Sequence, residues 1–317
     1  MLSLFPRSLG VAVTAAVVIL LATSAGTPES APAARAVTDD LGNTVHVPES
    51  PDSILSLSLF SDEVLQDILS PARFAAVHSL AVNPVYSNTA EKASQIDPVI
   101  EFNVEQIIDI YPDLVIAADW SEADKLDQLR QAGIPVYQVR TAVEPAGIRT
   151  AIRQLGELVG EPAAAAELIA DFDRRKAALA EIVAAVPAED RLQAMDYTTW
   201  GASAGTGTSW HTILELAGLD NAAAALKADD FGQVPLSKET LIELDPDILF
   251  LPGYVWGEPD GADAFYRQLR RDPAFADLQA IRNDRLYLFP ERLKGTYSHY
   301  IIDAAEHAAR TAYPQLF

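Results

Sequence analysis

The sequence predicts an α/β protein of two lobes joined by one long helix, and three observations support this prediction. Strand and helix signals alternate along most of the chain, an order typical of parallel or mixed sheets covered by helices. One helix-turn-strand segment occurs twice, 134 residues apart, from Asn103 and from Ser237. A long run of helix-forming residues, bounded by Pro162 and Pro187, lies between the two copies.

The composition indicates an acidic protein with a substantial core. Of the 317 residues, 49% are hydrophobic and 21% are charged, which suffices for one large or two medium domains. The formal net charge of −22 repels phosphate backbones and anionic membranes, so no nucleic-acid partner is expected. Because the chain has no cysteine, disulfides, thiolate metal sites and cysteine nucleophiles are excluded.

Residues 1–36 are predicted to be an export signal outside the fold. Arg7 supplies a positive charge, and the apolar run Gly10–Ala22 has secretory length. This run is shorter than the ~20 residues that span a bilayer, which favours a cleaved signal over a retained anchor. Cleavage stays open between residues 25 and 36, since Thr23-Ser24-Ala25 and Ala34-Arg35-Ala36 both offer small residues. Without a cysteine for lipid attachment, the sequence predicts a soluble periplasmic protein and not a lipoprotein.

The first lobe is predicted to span residues 37–160. It opens with a segment that alternates about Gly42-Asn43 as a hairpin does. Ser61 is the predicted cap of the first helix, and Gly133 ends a later one. The predicted strands are 54–57, 74–78, 114–117 and 136–139, and the predicted helices are 62–69, 104–110, 122–132 and 145–159.

The linking helix is predicted within residues 161–187. Pro162 is tolerated in a first helical turn and Pro187 ends the helix, giving a rod of roughly 35 to 40 Å. Its apolar residues form two groups, separated by the charged run Asp173–Lys176. The segment alone fits a strut with a solvent-facing middle or an ordinary amphipathic helix. The repeat on either side favours the strut.

The second lobe is predicted to span residues 188–317 and to repeat the alternation of strands and helices. Gly218 is the predicted end of its first helix. The predicted strands are 192–197, 248–251 and 286–289, and the predicted helices are 210–217, 238–244 and 298–312.

The repeated segment contains an N-cap, a first-turn glutamate, an amphipathic helix, a Pro-Asp turn and a buried strand. Recurrence by chance is the alternative, because this unit is common in α/β folds. The repeat places Glu105 and Glu239 at equivalent positions. Each carboxylate stabilises its own helix N-terminus, and the pair could also engage two basic sites on a symmetric partner.

Loops that follow the predicted strands are the expected ligand contacts, because open α/β sheets bind ligands at the carboxyl ends of their strands. Aromatic side chains in these loops suit a flat or bulky organic ligand, and a cation suits an anionic one. The alternative for each aromatic residue is burial as a loop anchor. The candidate contacts are Tyr86, Trp120, Trp200, Trp256, Arg292 and Tyr297.

Ser203 lies in a G-x-S-x-G segment, with His299 downstream in the order of a serine hydrolase. A nucleophile elbow passes straight into a helix, whereas here Thr206-Gly207-Thr208 lengthens the loop before Ser209, the predicted cap of the next helix. A glycine-rich connection is therefore favoured over a catalytic serine.

The five histidines form no pair at metal-binding spacing, although a transition-metal receptor built from dispersed histidines and carboxylates stays an alternative. We assign no catalytic residue, no resident metal and no cofactor.

The order of several motifs resembles the periplasmic substrate-binding proteins of ABC importers for ferric siderophores, haem and cobalamin. The resemblance covers nearly all of residues 37–317. It implies two Rossmann-like lobes joined by a single long α-helix with the ligand cleft between them, in a monomeric, non-enzymatic receptor. It also implies that Glu105 and Glu239 dock onto arginines of the inner-membrane permease. The motifs are VTDDLGNTVHVP, NVEQIIDIYPDLVIAA, GIPVYQV, the helix after GEP, SWHTILELAGLDN, SKETLIELDPDILFLPG and TYSHYIIDAAEHAARTAYPQLF.

The resemblance implies an iron chelate as ligand, with a ferric siderophore as first choice and haem or cobalamin as alternatives. The tryptophans that cobalamin receptors carry before the docking glutamates correspond to Val99 and Gln233 here. Arg292 suits an anionic siderophore or the haem propionates better than a neutral corrinoid, and Tyr86 or His78 could ligate a haem iron. The long helix should permit only a small lobe motion.

Overall fold

The computed structural model describes residues Ala34–Phe317, so the predicted export signal lies outside it apart from residues 34–36, which begin the first strand. Within this described range, the helices are too short or too polar to cross a bilayer. The fold is α/β, and the main sheet of each half is parallel, with three strands in the first half and four in the second.

The first half contains seven strands and five helices before the long helix. The strands are β1 (Ala34–Thr38), β2 (Thr44–Pro48), β3 (Ile54–Ser56), β4 (Val77–His78), β5 (Val99–Ile100), β6 (Leu114–Ala118) and β7 (Val136–Val139), and the helices are α1 (Leu59–Ile68), α2 (Ala90–Ala93), α3 (Val104–Ile110), α4 (Ala123–Gln131) and α5 (Pro145–Leu158).

The long helix α6 (Pro162–Val183) is followed by the elements of the second half. These are β8 (Gln193–Asp196), β9 (Ala202–Ala204), α7 (Ser209–Leu216), β10 (Asp220–Asn221), β11 (Gln233–Pro235), α8 (Lys238–Leu244), β12 (Ile248–Pro252), α9 (Gly261–Arg271), α10 (Gln279–Arg282), β13 (Leu286–Phe289), α11 (Glu291–Lys294) and α12 (Ile301–Ala312).

Each half is built around a central parallel strand. In the first sheet β6 lies between β3 and β7, and in the second β12 lies between β8 and β13, with β10 at the edge. Side chains alternate along both central strands: Ile116 and Phe250 enter the core around α6, whereas Val115 and Leu249 each enter a core of their own on the other face of their sheet. Both sheets are therefore covered on two faces, which explains the uniformly apolar sequences of their central strands β6 and β12.

The helix α6 joins the two halves as predicted. Its Phe172 and Leu179 belong to an apolar core that includes Leu65 of α1 in the first half and Ile302 of α12 in the second. Gly156 of α5 permits a close approach, because a Cβ there would collide with the Cβ of Ala165. The helix is thus seated on both halves.

The charged middle of α6 differs from its prediction as a solvent-facing run. Only Arg174 is exposed among Asp173–Lys176. Arg175 donates to both carboxylate oxygens of Asp303 on α12, at 3.0 and 2.9 Å, and Asp173 lies 3.2 Å from Arg149 of α5. Ion pairs to helices on both sides therefore cover part of the run that was predicted to face solvent.

The repeat is confirmed as a structural unit. Helices α3 and α8 have the predicted bounds, and the Asn103 and Ser237 side chains each accept from a backbone N–H three residues on. Tyr111 and Asp245, which end the two helices, both adopt left-handed backbone conformations, with φ of 51° and 40°. The agreement extends to the caps, the turns and the central position of the following strands, so chance recurrence no longer explains the repeat.

The starts of helices α1, α7 and α12 differ from prediction in ways that their capping contacts explain. Ser61 is not the cap of α1; Ser58 is, and its Oγ accepts from Ser61 N at 3.3 Å. Thr208, and not Ser209, caps α7 through its Oγ1, which accepts from His211 N at 3.2 Å. The last helix begins at Ile301 and not at Ser298, whose hydroxyl instead donates to the buried Glu63.

Several elements escaped prediction or differ in length. The strand predicted at 74–78 shrinks to Val77–His78. Helix α9 and the antiparallel pair of β9 with β11 were not predicted. The linking helix ends at Val183, and the domain boundaries given above stay a prediction.

A candidate ligand-binding cleft

A cavity of about 700 Å³ opens where the strands β6, β7, β8 and β13 end. The loops after these carboxyl ends supply most of its walls, as expected for an open parallel sheet. The lining residues are Asp119, Trp120, Thr141, Val143, Asp196, Thr198, Trp200, Ala204, Thr206–Trp210, Ala228–Gln233, Glu291, Lys294, Gly295 and Tyr297.

Aromatic side chains are unusually exposed around this cavity. Trp120, Trp200 and Phe231 are 70%, 74% and 86% exposed, although large aromatic residues are normally covered. Trp120 is oriented by its indole N–H, which donates to Thr141 Oγ1 at 3.1 Å. Together with the half-exposed Tyr297, these rings offer flat apolar surfaces to a bound molecule.

A narrower apolar extension of about 150 Å³ adjoins the cavity. Both spaces share Trp120, Thr141, Gly295 and Tyr297, so they form one cleft. Burial lowers the pKa of His78, which therefore favours its neutral form. The extension is lined by Leu57, Ser58, Leu59, Phe60, His78 and Leu80 besides the shared residues.

Carboxylates outnumber cations in the lining of the cavity. Lys294 Nζ lies 2.8 Å from Asp196 Oδ2, so its charge is already paired. Burial raises the pKa of Glu291, and its Oε1 has no hydrogen-bond partner in the described part of the chain. The indole N–H of the buried Trp210 is likewise without an acceptor there. Both atoms are shielded from solvent, although their residues line the cavity.

The family model of periplasmic binding proteins matches residues 54–293, which is most of the chain. The chain belongs to this family. Its members are ligand-binding transport proteins, and the match spans both sheets and the helix that joins them.

Individual relatives agree with the family assignment. This periplasmic binding protein is 24% identical over 291 residues to an uncharacterised ABC transporter substrate-binding lipoprotein of Bacillus subtilis, covering 88% of this chain and 86% of that protein. It is 34% identical over 149 residues to a cobalamin-binding protein of Halobacterium salinarum, covering 46% of this chain and 39% of that protein. Among solved structures, a molybdate-bound periplasmic binding protein of Haemophilus influenzae matches with a TM-score of 0.74 and 19% identity, covering 89% of this chain and 92% of that one.

Three of the six predicted ligand contacts meet in the cleft of this periplasmic binding protein. Trp120, Trp200 and Tyr297 line the same cavity although they are distant in sequence. Tyr86 and Trp256 instead pack against each other, with ring centroids 6.0 Å apart, outside that lining.

Arg292 lines a separate depression of about 400 Å³ beside Tyr300 and His307. The reason is the register of α11: Glu291 and Lys294, three residues apart, share the face toward the cavity, and Arg292 lies on another face. The cation that suggested an anionic ligand thus lies outside the cavity.

Phe231 was missed by sequence reasoning, although a signal existed. The segments DDLGN (39–43) and DDFGQ (229–233) form the same turn. In the first, Asp39 Oδ1 accepts from the backbone N–H of residues 41 and 43 at 3.0 and 2.8 Å. In the second, Asp229 Oδ1 accepts from residues 231 and 233 at 2.9 and 2.8 Å. Both turns present the apolar residue at position three.

Ser203 occupies a structural position. It lies on β9, fully buried, and its hydroxyl donates to Asp196 Oδ1 at 2.8 Å. A strand interior differs from the strand-to-helix turn of a nucleophile elbow. His299 is engaged elsewhere, with Asp67 at 2.6 Å. The geometry therefore agrees with the glycine-rich connection that the sequence favoured.

Glu105 and Glu239 are exposed in the first turns of α3 and α8. Hydrogen bonds from its own backbone N–H and from Ser237 lower the pKa of Glu239, which keeps this carboxylate ionised. Both side chains are free to meet a partner, and their roles stay a prediction.

Proposed function

We propose that this periplasmic binding protein captures an iron chelate, a ferric siderophore in the first place, and delivers it to an ABC permease. The observation that carries the proposal is the cavity of about 700 Å³ with three strongly exposed aromatic side chains around it. Cavities of this size suit drug-sized organic ligands, and exposed ring faces gain most by covering an apolar or flat surface.

A free metal ion is a poorer fit. Among residues 34–317 no group of three or more histidine and carboxylate side chains is arranged to hold a metal ion. A single hydrated ion would also leave most of the cavity and its aromatic faces uncovered. An organic chelate satisfies both points, because it brings its own metal ligands and a larger surface.

A corrinoid is the second candidate. The indoles of Trp120 and Trp200 could cover a neutral ring system, and such a ligand needs no cation in the cavity. The similarity to a cobalamin-binding protein supports this candidate over less than half of the chain.

Trp120, Trp200 and Tyr297 are the proposed primary contacts, with Phe231 as a fourth. Tyr86, Trp256 and Arg292 remain proposed contacts only for a ligand that extends beyond the cavity. Export to the periplasm is proposed from the family, and the absence of cysteine supports a receptor without a cysteine-linked lipid.

Docking to the permease is proposed through Glu105 and Glu239. The positions of these two residues support this role. Both are exposed, and they occupy equivalent places in the repeat, whose two helices also have matching caps and bounds. The helix α6, seated on both halves, would hold the distance between them.

The experiment is a titration of the mature protein, followed by tryptophan fluorescence, with ferric hydroxamates, ferric catecholates, haem, cyanocobalamin, Zn²⁺ and molybdate. We expect saturable quenching by a ferric siderophore, and a loss of affinity on the order of tenfold in Trp120→Ala and Trp200→Ala. Binding of Zn²⁺ or molybdate alone would refute a chelate receptor. Binding of cyanocobalamin alone would select the second candidate.

A further inference from the structure

The charges that line the cavity are strongly unbalanced. Five carboxylates face one ammonium, because Asp119, Asp196, Asp229, Asp230 and Glu291 line the cavity with Lys294 as the only lysine or arginine among its described lining residues. Clefts lined by charges of one sign concentrate ligands of the opposite sign. The imbalance therefore bears on the charge of the ligand.

Lys294 is not available to attract an anion. It is paired with Asp196, whose other oxygen accepts from Ser203 Oγ and Ala204 N, both at 2.8 Å. An anionic ligand that recruited Lys294 would leave the carboxylate of Asp196 buried without its counter-ion, which is costly. The remaining carboxylates keep the cavity negative.

The turn at 229–233 holds two of these carboxylates beside an exposed ring. Asp229 accepts from two backbone N–H groups, which hold it in place, and it has no cationic partner among residues 34–317. Asp230 is exposed and makes no side-chain hydrogen bond or ion pair within the described residues. Phe231 follows directly and is 86% exposed. A carboxylate next to an open apolar face suits a ligand that combines a cationic group with an apolar surface.

We infer that the cleft selects ligands with a net positive charge and rejects anionic ones, and that Asp230 is a determinant of this selectivity. As far as the ligand is a metal chelate, the inference rests on the proposed function. Haem with its propionates, catecholate complexes and oxyanions then fall outside the preferred class, whereas a hydroxamate complex with a free amine falls within it.

The first experiment needs no bound ligand, because it probes the potential in the cleft with small quenchers. In the Trp256→Phe variant, the two remaining exposed tryptophans, Trp120 and Trp200, both line the cavity. Each quenching constant is first divided by the constant that the same ion gives with free N-acetyltryptophanamide. After this normalisation, we expect Cs⁺ to quench their fluorescence at least twice as efficiently as iodide at equal ionic strength. Asp230→Lys should reduce this ratio about twofold.

The matched control is Asp190→Lys, which makes the same charge change at an exposed residue outside the cavity. It should leave the quenching ratio unchanged. An equal effect of Asp190→Lys and Asp230→Lys would assign the asymmetry to the overall charge and refute the inference. Equal normalised quenching by iodide and Cs⁺ would refute it as well.

The second experiment compares ligands of one scaffold. The ferric complex of a linear trihydroxamate is used with a free terminal amine, with that amine acetylated, and with it succinylated, to give cationic, neutral and anionic forms. We expect affinity to fall at least tenfold from the cationic to the anionic form. Asp230→Lys should reduce this difference in affinity. Equal affinities, or tightest binding of the anion, would refute the selectivity. Quenching asymmetry without binding of any chelate would refute the proposed function and leave the selectivity standing.

Discussion

His299 Nε2 lies 2.6 Å from Asp67 Oδ2, and this contact joins the segment before α12 to helix α1 in the other half of the chain. Tyr300 donates to the same carboxylate oxygen at 3.0 Å. One step earlier, Ser298 donates to the buried Glu63, and Tyr297 lines the cleft. The wall of the cleft is therefore tied to both halves by buried polar contacts.

The contact between His299 and Asp67 should contribute measurably to the free energy of unfolding. We expect His299→Gln and Asp67→Asn each to lower the free energy of unfolding by about 1–3 kcal/mol, because each leaves a buried partner with poorer bonding. The effects should be non-additive in the double variant, as urea denaturation would measure. Lys92→Ala, which removes the partly exposed ion-pair partner of Asp67, is the control and should cost less. Fully additive losses would mean that the two side chains do not act together.

Asp67 should also affect how the stability of the protein changes at acid pH. Burial acts to raise its pKa, but hydrogen bonds from His299 and Lys92 outweigh burial and lower it. A lowered folded-state pKa stabilises the protein above the ordinary aspartate pKa of about 3.9, and this contribution is lost as the pH falls through the lowered value. We therefore expect the melting temperature of Asp67→Asn to fall less than that of wild type between pH 5 and pH 3. Equal falls in melting temperature would contradict a role for Asp67 in the acid response.

Asp62 should affect the pH dependence of stability in the opposite direction. It is buried, neither carboxylate oxygen has a hydrogen-bond partner within residues 34–317, and burial raises its pKa well above the ordinary value. Stability is then greatest below the ordinary pKa and falls as the pH rises through the raised value. Asp62→Asn should therefore melt higher than wild type at pH 8, with a smaller difference at pH 5. A constant difference across this range would exclude titration of Asp62 as the cause.

Gly156 should tolerate no side chain. A Cβ at this position would collide with the Cβ of Ala165, where α5 packs on α6. We expect Gly156→Ala to cost about 1–3 kcal/mol of unfolding free energy, measured by chemical denaturation. Adding Ala165→Gly should recover part of this loss, since it removes the colliding methyl group. No recovery would indicate that the closeness of the two helices is not what makes glycine necessary.

Docking to the permease can be tested with an internal control provided by the repeat. We expect Glu105→Lys with Glu239→Lys to abolish uptake in cells while ligand affinity stays within about twofold, because both residues lie outside the cavity lining. Asp109→Lys with Glu243→Lys makes the same charge change at equivalent exposed positions one turn further along α3 and α8. This second pair should transport normally. Equal loss in both pairs would point to general charge and not to docking by the two glutamates.

The sequence by itself determined the architecture, because its signals are local and repeated. Caps, proline positions and apolar periodicity fixed α3, α8, β7 and β13 to the residue, and the gapless repeat indicated two similar halves. The exposed aromatic residues at strand ends could also be predicted, since loops after parallel strands converge on one edge. The repeated DDxG turn could have been recognised in the sequence too, and it would have predicted the exposure of Phe231.

Only the tertiary structure decided which side chains share the cleft and what charge it carries. Arg292 and Lys294 look equivalent in sequence, but a short helix turns one toward the cavity and the other away, and Asp196 then pairs with the one that enters. The charged middle of α6 likewise found partners on α5 and α12. Ion pairs of this kind join residues far apart in the chain, so they cannot be predicted from local sequence patterns.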